Sequence, residues 1–253
     1  MNTFPLISVI IPVHNGERFL AEAIQNIRYQ NYPVLEIIVI DDGSTDKTAE
    51  IAAQFHSEIH YVYQPNQGPA AARNTGIKLA QGEFIAFLDV DDLWADSVLL
   101  NFTDYSMKHP EIEIVQGLIQ RMQWDGTVPN EHSAEFTPIF QPYQFINLGS
   151  ALYRRSVFNK VGLFDELLWY CEDTDWFFRS WELNISKTVL PQVMLFYRKH
   201  DRNMTLQHKD LVHFGWLKIF KRRIDRARAR SDRGEPPLQQ TVQLLDYLGQ
   251  SPD

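Results

Sequence analysis

The fold is decided by the stretch Glu83-Phe84-Ile85-Ala86-Phe87-Leu88-Asp89-Val90-Asp91-Asp92-Leu93-Trp94. Residues 84–88 form a continuous apolar run, with the length and composition of a strand that is buried on both faces. The run stops at Asp89, Asp91 and Asp92, whose ionised carboxylates would repel one another unless a cation binds. Ligands bind outside the carboxyl ends of strands in open α/β sheets, and hard oxygen ligands suit Mg²⁺ or Mn²⁺. An acidic turn that only solvates the strand end is the alternative interpretation of this stretch alone.

The residues before this stretch predict a right-handed βαβ unit. Residues 6–13 and 36–40 are apolar enough for buried strands, and residues 17–30 place apolar side chains at helical spacing between them. The order strand, helix, strand implies a parallel sheet. The first strand is followed by His14-Asn15-Gly16 and the second by Asp41-Asp42-Gly43-Ser44. Both polar loops are therefore expected at the same edge of the sheet.

A second helix is expected from a cap at Ser44 or Thr45 to about Phe55, and residues 61–63 form a short third strand. Gly68-Pro69 then begins an alanine-rich helix, since proline favours the first helical turn. The N-terminus of such a helix attracts anions, and Arg73 adds a guanidinium that can bind phosphate. A helix that only packs explains the same residues.

The second half of the chain reads as mixed or antiparallel. Residues 97–108 predict a helix, and residues 112–145 alternate in polarity, with Asp125-Gly126 as a hairpin turn. Two polar clusters follow. Glu172-Asp173-Thr174-Asp175-Trp176 leads into a helix, and Tyr197-Arg198-Lys199-His200 ends a strand that starts near Val189.

Composition excludes several classes of protein. With 253 residues, of which 44% are hydrophobic, the chain can bury a sizeable core and is far from the disordered class. The single cysteine, Cys171, excludes an internal disulfide framework. The sequence shows no signal peptide and no apolar run of about 18 residues. A cytoplasmic location is therefore expected, peripheral at the inner face of the plasma membrane if the tail binds lipid.

Charge is distributed unevenly. The net charge of −8 argues against general nucleic-acid binding, yet residues 218–233 alone carry +6. Within residues 211–233, a stripe of apolar side chains recurs at helical spacing, formed by Leu211, Phe214, Leu217, Phe220 and Ile224. A cationic helix with one apolar face favours contact with a membrane surface or another anionic, lipid-linked partner. The alternative is that the stripe packs on the rest of the protein and the cations are solvated.

Taken in order, these motifs resemble those of the GT-A fold glycosyltransferases of family 2, inverting enzymes that use nucleotide-diphosphate sugars. Besides the stretches quoted above, the resemblance includes Gly68 to Asn74 and Gly162-Leu163-Phe164-Asp165-Glu166, and it covers roughly residues 6–205. It implies an α/β, Rossmann-like nucleotide-diphospho-sugar transferase fold with a mixed central sheet. The expected domain spans residues 4–205, followed by a helical, partly basic extension over residues 206–253.

The resemblance also implies a donor site. Pro12, His14 and Glu17 would line the pocket for the base and ribose, and Asp42 would accept the N3–H of a uracil. Asn66 and Arg73 would flank the nucleotide and its diphosphate. The family usually has an aromatic residue, most often tyrosine, where this chain has His14, and imidazole stacks less well on a base. A UDP-sugar is the expected donor, with the base left open by this departure.

The catalytic residues follow from the same resemblance. Asp89 would face the ribose and metal, Asp91 would bind Mn²⁺ or Mg²⁺, and His200 would complete the metal shell. Asp173 matches the general base, while a further set lies near the acceptor or sugar: Glu172, Trp169 and Trp176. Residue chemistry alone leaves purely structural interpretations open. In these, His200 is a structural histidine, Asp173 belongs to an acidic helix N-terminus favoured by the helix dipole, and the tryptophans pack the core.

The expected function is therefore inverting transfer of a hexosyl or N-acetylhexosaminyl group to a saccharide or lipid-linked acceptor, in polysaccharide or glycoconjugate synthesis. A homodimer is among the expected assemblies. A catalytically inactive sugar-nucleotide binding module and a metal-dependent phosphatase are the alternatives. A phosphatase of the haloacid dehalogenase type would need its Asp-X-Asp near the first strand. A dinucleotide-binding oxidoreductase would need Gly-X-Gly-X-X-Gly there, which residues 12–16 lack.

Overall fold

The computed structural model describes residues 4–124, 136–201, 203–204, 209–235 and 240–252. Within these residues, nine strands form one mixed sheet with helices around it. The strands are β1 (Ile7–Val13), β2 (Leu35–Asp42), β3 (His60–Gln64), β4 (Phe84–Phe87), β5 (Leu93–Trp94), β6 (Ile114–Trp124), β7 (Phe136–Tyr143), β8 (Ala151–Arg154) and β9 (Lys187–Lys199). The helices are α1 (Leu20–Tyr29), α2 (Thr48–Gln54), α3 (Pro69–Leu79), α4 (Val98–Lys108), α5 (Ser156–Val161), α6 (Glu172–Glu182), α7 (Lys209–Asp232) and α8 (Leu244–Leu248).

Four parallel strands make up the first half of the sheet. They lie in the order β3-β2-β1-β4, which confirms the predicted parallel sheet. Ile10, Ile38 and Phe87 belong to one core cluster, whereas Val9 and Val39 belong to the other. Successive side chains of a strand point to opposite faces, so a sheet covered on both sides requires the continuous apolar runs seen in the sequence.

The second half of the sheet is antiparallel and mixed, and it carries the chain back to the acidic turn after β4. β8 pairs antiparallel with both β4 and β6, and β9 runs parallel to β6. β5 then pairs antiparallel with β9, with Leu93 opposite Phe196 and Trp94 opposite Leu195. This pairing brings the end of β9 next to Asp91 and Asp92.

Two helix starts differ from the predictions because the loops after β1 and β2 bond to each other. α2 begins at Thr48, and its first turn is capped by Asp46, which accepts a hydrogen bond from the Thr48 amide at 3.0 Å. The predicted cap Ser44 instead accepts from the Asn15 amide at 2.8 Å. α1 begins at Leu20 rather than Glu17. The predicted turn at Asp125-Gly126 lies outside the described residues, although β6 and β7 pair antiparallel on either side of it.

The long tail helix α7 does not bury the whole of its predicted apolar stripe against the domain, although the ring of Phe220 packs with its centre 6.1 Å from that of Phe178. Its buried face contains Gly215 and Ile219, and its arginines pair with acids of the domain, among them Arg226 with Glu182 at 2.8 Å. The apolar residues of the stripe that the structure describes are exposed, with fractions of 65% for Leu217, 47% for Phe220 and 52% for Ile224. The side chains of Leu211 and Phe214 lie outside the described part.

No helix in the described ranges is both long enough and apolar enough to cross a bilayer.

Candidate active site at the carboxyl edge of the sheet

The loops that follow β1 and β2 interlock and carry the residues predicted to hold the base. The Gly16 amide donates to Thr48 Oγ1 and the Thr45 amide to Asn15 Oδ1, both at 2.8 Å. His14 Nδ1 lies 2.9 Å from the Asp42 carbonyl oxygen, and Asn66 Nδ2 lies 3.4 Å from both nitrogens of the His14 ring. The structure therefore brings His14, Asp42 and Asn66 together. Beside them, Pro12 is half-buried, and Glu17 is exposed and accepts from the Lys47 amide at 3.2 Å.

Asp42 anchors the loop that leads into α3. Its buried carboxylate accepts from the amides of Gln67 at 3.0 Å and Gly68 at 2.8 Å, and from Gln64 Nε2 at 2.7 Å. Gly68 has φ +90°, a backbone conformation that would be strained for any residue with a side chain. A Cβ there would also lie 3.4 Å from Cδ2 of Trp169, whose ring covers this glycine and is half exposed. Asp42 and Trp169 thus both contact the loop at Gly68.

Trp176 lies in the hydrophobic core. Its side chain is fully buried, its Nε1 donates to the Gly162 carbonyl at 2.9 Å, and its ring packs 5.1 Å from the centre of Phe158 and 5.8 Å from Phe164. Trp176 therefore fills the core from the buried face of α6, and its predicted position near the acceptor or sugar gains no support from its exposure. Its place at a helical spacing among other aromatics is typical of a core residue.

Arg73 links three parts of the site. Its buried guanidinium binds Glu172 through Nη1 and Asp89 through Nη2, the latter at 2.7 Å. Burial alone would lower the pKa of Arg73, but the two carboxylates raise it. Both terminal nitrogens face acids, so the guanidinium predicted to flank a diphosphate is held by protein carboxylates in this structure. The cation thereby ties α3 to the acidic turn and to α6.

Glu172 is buried next to Asp173 in the first turn of α6, and its predicted place in the acceptor vicinity stays a prediction. Burial raises the pKa of its carboxyl to about 7, with Arg73 opposing that rise and Asp173 adding to it. The first turn of a helix stabilises negative charge, which explains why consecutive acids are tolerated here. Glu172 thus acts as the partner of Arg73.

Asp173, the predicted general base, is partly exposed at the N-terminal turn of α6. Its Oδ1 accepts from the Thr174 amide at 2.6 Å. Burial raises the pKa of Asp173, whereas Arg73 and the bonds from Thr174 oppose the rise. A carboxylate that remains ionised but has a raised pKa is a stronger proton acceptor. These properties suit a general base.

Asp91 and His200, the two predicted metal ligands, lie side by side. His200 Nε2 lies 3.0 Å from Asp91 Oδ2, although 109 residues separate them in the chain. Two neighbouring ligands of an octahedral ion at about 2.1 Å would be about 3.0 Å apart, so the pair fits one edge of such a site. Among the residues that the structure describes, no group of three or more His, Cys, Asp or Glu side chains forms a metal cluster. Substrate phosphates and waters would fill the other positions, as is usual for Mg²⁺ sites.

Sequence reasoning missed two residues that build this pair and assigned no separate role to Asp92. Asn203 Nδ2 donates to Asp91 Oδ2 at 3.0 Å, and the Arg198 guanidinium binds the Asp91 carbonyl and, at 2.6 Å, Glu22. Asp92 is buried and accepts from the Arg198 amide at 2.9 Å; burial, with the charges of Asp91 and Asp89, raises its pKa well above the ordinary value. Arg198 belongs to a quoted motif, whereas Asn203 has only its spacing of three residues after His200 as a signal.

Comparisons with known proteins identify the family of the chain. Residues 8–164 match the family model described as Glycosyl transferase family 2. A glycosyltransferase of Rickettsia typhi is 32% identical over 239 residues, which cover 86% of this chain and 73% of that protein. The glycosyltransferase EpsJ of Bacillus subtilis is 26% identical over 79% of this chain and 63% of its own length. The chain thus spans less than two thirds of EpsJ.

Solved structures show the same fold. The S. aureus TarS fragment 1–349 in complex with UDP-GlcNAc has a TM-score of 0.62 and 23% identity, covering 78% of this chain and 59% of that one. The mannosyltransferase PcManGT from Pyrobaculum calidifontis, in complex with GDP-Man and Mn²⁺, has a TM-score of 0.68 and 20% identity, covering 88% and 65%. Both are GT-A-like glycosyltransferases. The chain has the GT-A fold and belongs to glycosyl transferase family 2.

Proposed function

We propose that this protein transfers a sugar, with inversion, from a UDP-sugar to an acceptor hydroxyl in polysaccharide or glycoconjugate synthesis. The observation that carries the proposal is the bridge from Asp89 through Arg73 to Glu172. The bridge supports the proposal because it links the first turn of α6, which contains Asp173, to the turn that contains Asp91, so that donor and acceptor would meet between them. Inverting transfer needs this proximity, since it is a single in-line displacement at the anomeric carbon.

In that displacement, Asp173 takes the proton of the acceptor hydroxyl while the hydroxyl oxygen attacks the anomeric carbon. The bond to the nucleoside diphosphate breaks at the same time, and the diphosphate leaves with the bonding electrons. A bound Mn²⁺ or Mg²⁺ would offset the charge of the leaving diphosphate. Asp91 and His200 would hold that ion, and the imidazole ligand favours Mn²⁺ over Mg²⁺. The Mn²⁺ complex of PcManGT supports the same choice.

The donor base is proposed from two observations. His14 and Asn66 lie beside Asp42 at the edge of the sheet, where an acceptor for the N3–H of uracil is expected. TarS, which shares the fold, binds UDP and UDP-GlcNAc. Together they favour a UDP-sugar, with hexosyl or N-acetylhexosaminyl transfer.

The test is a screen of nucleotide sugars for release of free nucleoside diphosphate, with and without Mn²⁺. We expect a UDP-sugar to give the fastest release, and Asp173→Asn to retain UDP binding while losing transfer. Asp91→Ala should lose the metal-dependent part of UDP binding. Release of inorganic phosphate instead would indicate a phosphatase. Donor binding without any turnover, measured with a panel of saccharide and lipid-linked acceptors, would indicate a binding module.

We further propose that the acceptor is saccharide or lipid-linked and that α7 contacts the membrane surface. Leu217, Phe220 and Ile224 form an exposed apolar line, flanked by the exposed cations Lys218 and Lys221. Such a surface can lie in an anionic interface. Sedimentation with anionic and neutral vesicles tests this: wild type should bind anionic vesicles, and changing the three apolar residues to serine should abolish binding. Equal, negligible sedimentation with both vesicle types would contradict it.

A further inference from the structure

We infer that Asn203 is a positioning residue that fixes Asp91 and His200 in the geometry that one divalent cation requires. The inference rests on the proposed function, because it takes Asp91 and His200 as the metal ligands. Asn203 lies just beyond β9, is 5% exposed, and bonds to both members of the pair.

The orientation of the Asn203 amide is set by its surroundings. The backbone N–H of His200 can only donate, so the atom 2.6 Å from it must be the oxygen, Oδ1. Nδ2 then points the other way, where it donates to Asp91 Oδ2 at 3.0 Å and to the Arg198 carbonyl at 3.1 Å. Both of its protons face acceptors, and Nδ2 also lies 3.3 Å from His200 Nε2, so the side chain contacts both members of the pair. One side chain thus joins the end of β9 to the acidic turn.

Asn203 also gives the Asp91 carboxylate a hydrogen-bond donor. Because its amide is neutral, it adds no further anion beside the predicted metal site. Asp91 lies between Asp89 and Asp92 in the chain, so its carboxylate is expected to turn away from these neighbours unless a donor holds it. The neutral amide supplies that donor, and the ring of Phe19, with its centre 4.9 Å from that of His200, limits how far the imidazole can tilt. The two ligands are therefore preorganised at 3.0 Å before an ion binds. Groups that orient metal ligands in this way typically contribute 10- to 100-fold to metal affinity.

A purely structural role for Asn203 would be to form the turn that ends β9. Its backbone N–H donates to the His200 carbonyl at 3.3 Å in that turn. The two roles differ in what they predict. A turn residue affects the free energy of unfolding, whereas a positioning residue affects the metal dependence of donor binding.

The experiment is calorimetric titration of UDP at a series of Mn²⁺ concentrations and in EDTA, on wild type, Asn203→Ala and Asn26→Ala. Asn26 is the matched control, because its amide makes two bonds with the Trp94 backbone, at 2.8 and 3.0 Å, away from the pair. We expect Asn203→Ala to raise the Mn²⁺ concentration for half-maximal UDP affinity by about tenfold or more, with the affinity in EDTA unchanged. Asn26→Ala should leave both values unchanged.

An unchanged Mn²⁺ requirement in folded Asn203→Ala would overturn the inference while leaving the proposed function intact. Failure of wild type to bind UDP more tightly with Mn²⁺ than in EDTA would instead refute the proposed metal site. Should Asn203→Ala not fold, Asn203→Ser replaces it, since serine keeps a small polar side chain but cannot span both contacts. The same comparison with the Mn²⁺ requirement of wild type then decides.

Discussion

Arg73 has the most demanding environment of any single residue in the site. A buried cation needs matching charges and hydrogen bonds, and Asp89 and Glu172 supply the charges and bind both terminal nitrogens of Arg73, whereas its Nε has no hydrogen-bond partner among the described residues. The planar guanidinium can bind two carboxylates in different directions at once, which an ammonium group cannot do with the same geometry. Arginine at this position thus holds α3, the acidic turn and α6 together.

Arg73→Met should destabilise the protein by roughly 3 to 5 kcal/mol, because it leaves two carboxylates without their buried partner. The control is Arg28→Met. Arg28 forms a surface pair with Glu58 at 2.7 Å and is 54% exposed, so its loss should cost less than about 1 kcal/mol. Urea denaturation of both variants measures the difference. Equal losses in the free energy of unfolding would show that the Arg73 pairs stabilise the fold no more than a surface pair does.

Glu172 makes stability depend on pH. A carboxyl group whose pKa is higher in the folded state, here about 7 against an ordinary 4.5, contributes stability that is complete below pH 4.5 and lost as the pH rises through 7. The effect is about 1.4 kcal/mol for each unit of pKa difference. The stability of wild type relative to Glu172→Gln should therefore fall between pH 5 and pH 8. Denaturation curves at both pH values test this, and a constant difference would contradict it.

At the level of elements, α7 shows why an amphipathic helix does not by itself reveal which face it buries. The sequence places apolar and basic residues on different faces, and burial of the apolar face is the common outcome. Here Asp165, Asp175 and Glu182 lie on the surface that receives the helix, and they bind Arg222, Arg226 and Arg223. The acids precede their partners by 41 residues or more, so no local pattern links them.

Arg226→Ala should loosen this attachment. The mutation removes the 2.8 Å bond to Glu182 and the 3.6 Å pair with the buried Asp175, which should cost about 1 to 2 kcal/mol and raise hydrogen exchange along α7. Arg228 lies on the exposed face of the same helix, so Arg228→Ala serves as the control and should change neither value. Faster exchange in both variants would mean that overall charge, rather than these pairs, holds the helix.

At the scale of the whole molecule, the parallel half of the sheet was predictable and the convergence of the site was not. Continuous apolar runs ending in polar loops identified β1, β2 and β4, because a strand buried on both faces requires such runs. The resemblance to a family predicted that Asp91 and His200 lie close enough to bind one metal ion. Neither the apolar pattern nor the resemblance identified Asn203. Its contacts with Asp91 and His200 depend on a backbone turn and on the pairing of β5 with β9, and neither of these leaves a pattern in the local sequence.

The position of β9 between β6 and β5 also has a consequence for biosynthesis. β1 to β4 pair with one another and all lie within residues 7–87, so this half can form while the ribosome is still extending the chain. β5 pairs with β9, which is made about 100 residues later, and the partner of Asp91 is made later still. The parallel half of the sheet can therefore form well before the chain brings His200 beside Asp91. The side-chain contacts between the acidic turn and the end of β9 are thus among the last that a newly synthesised chain can complete.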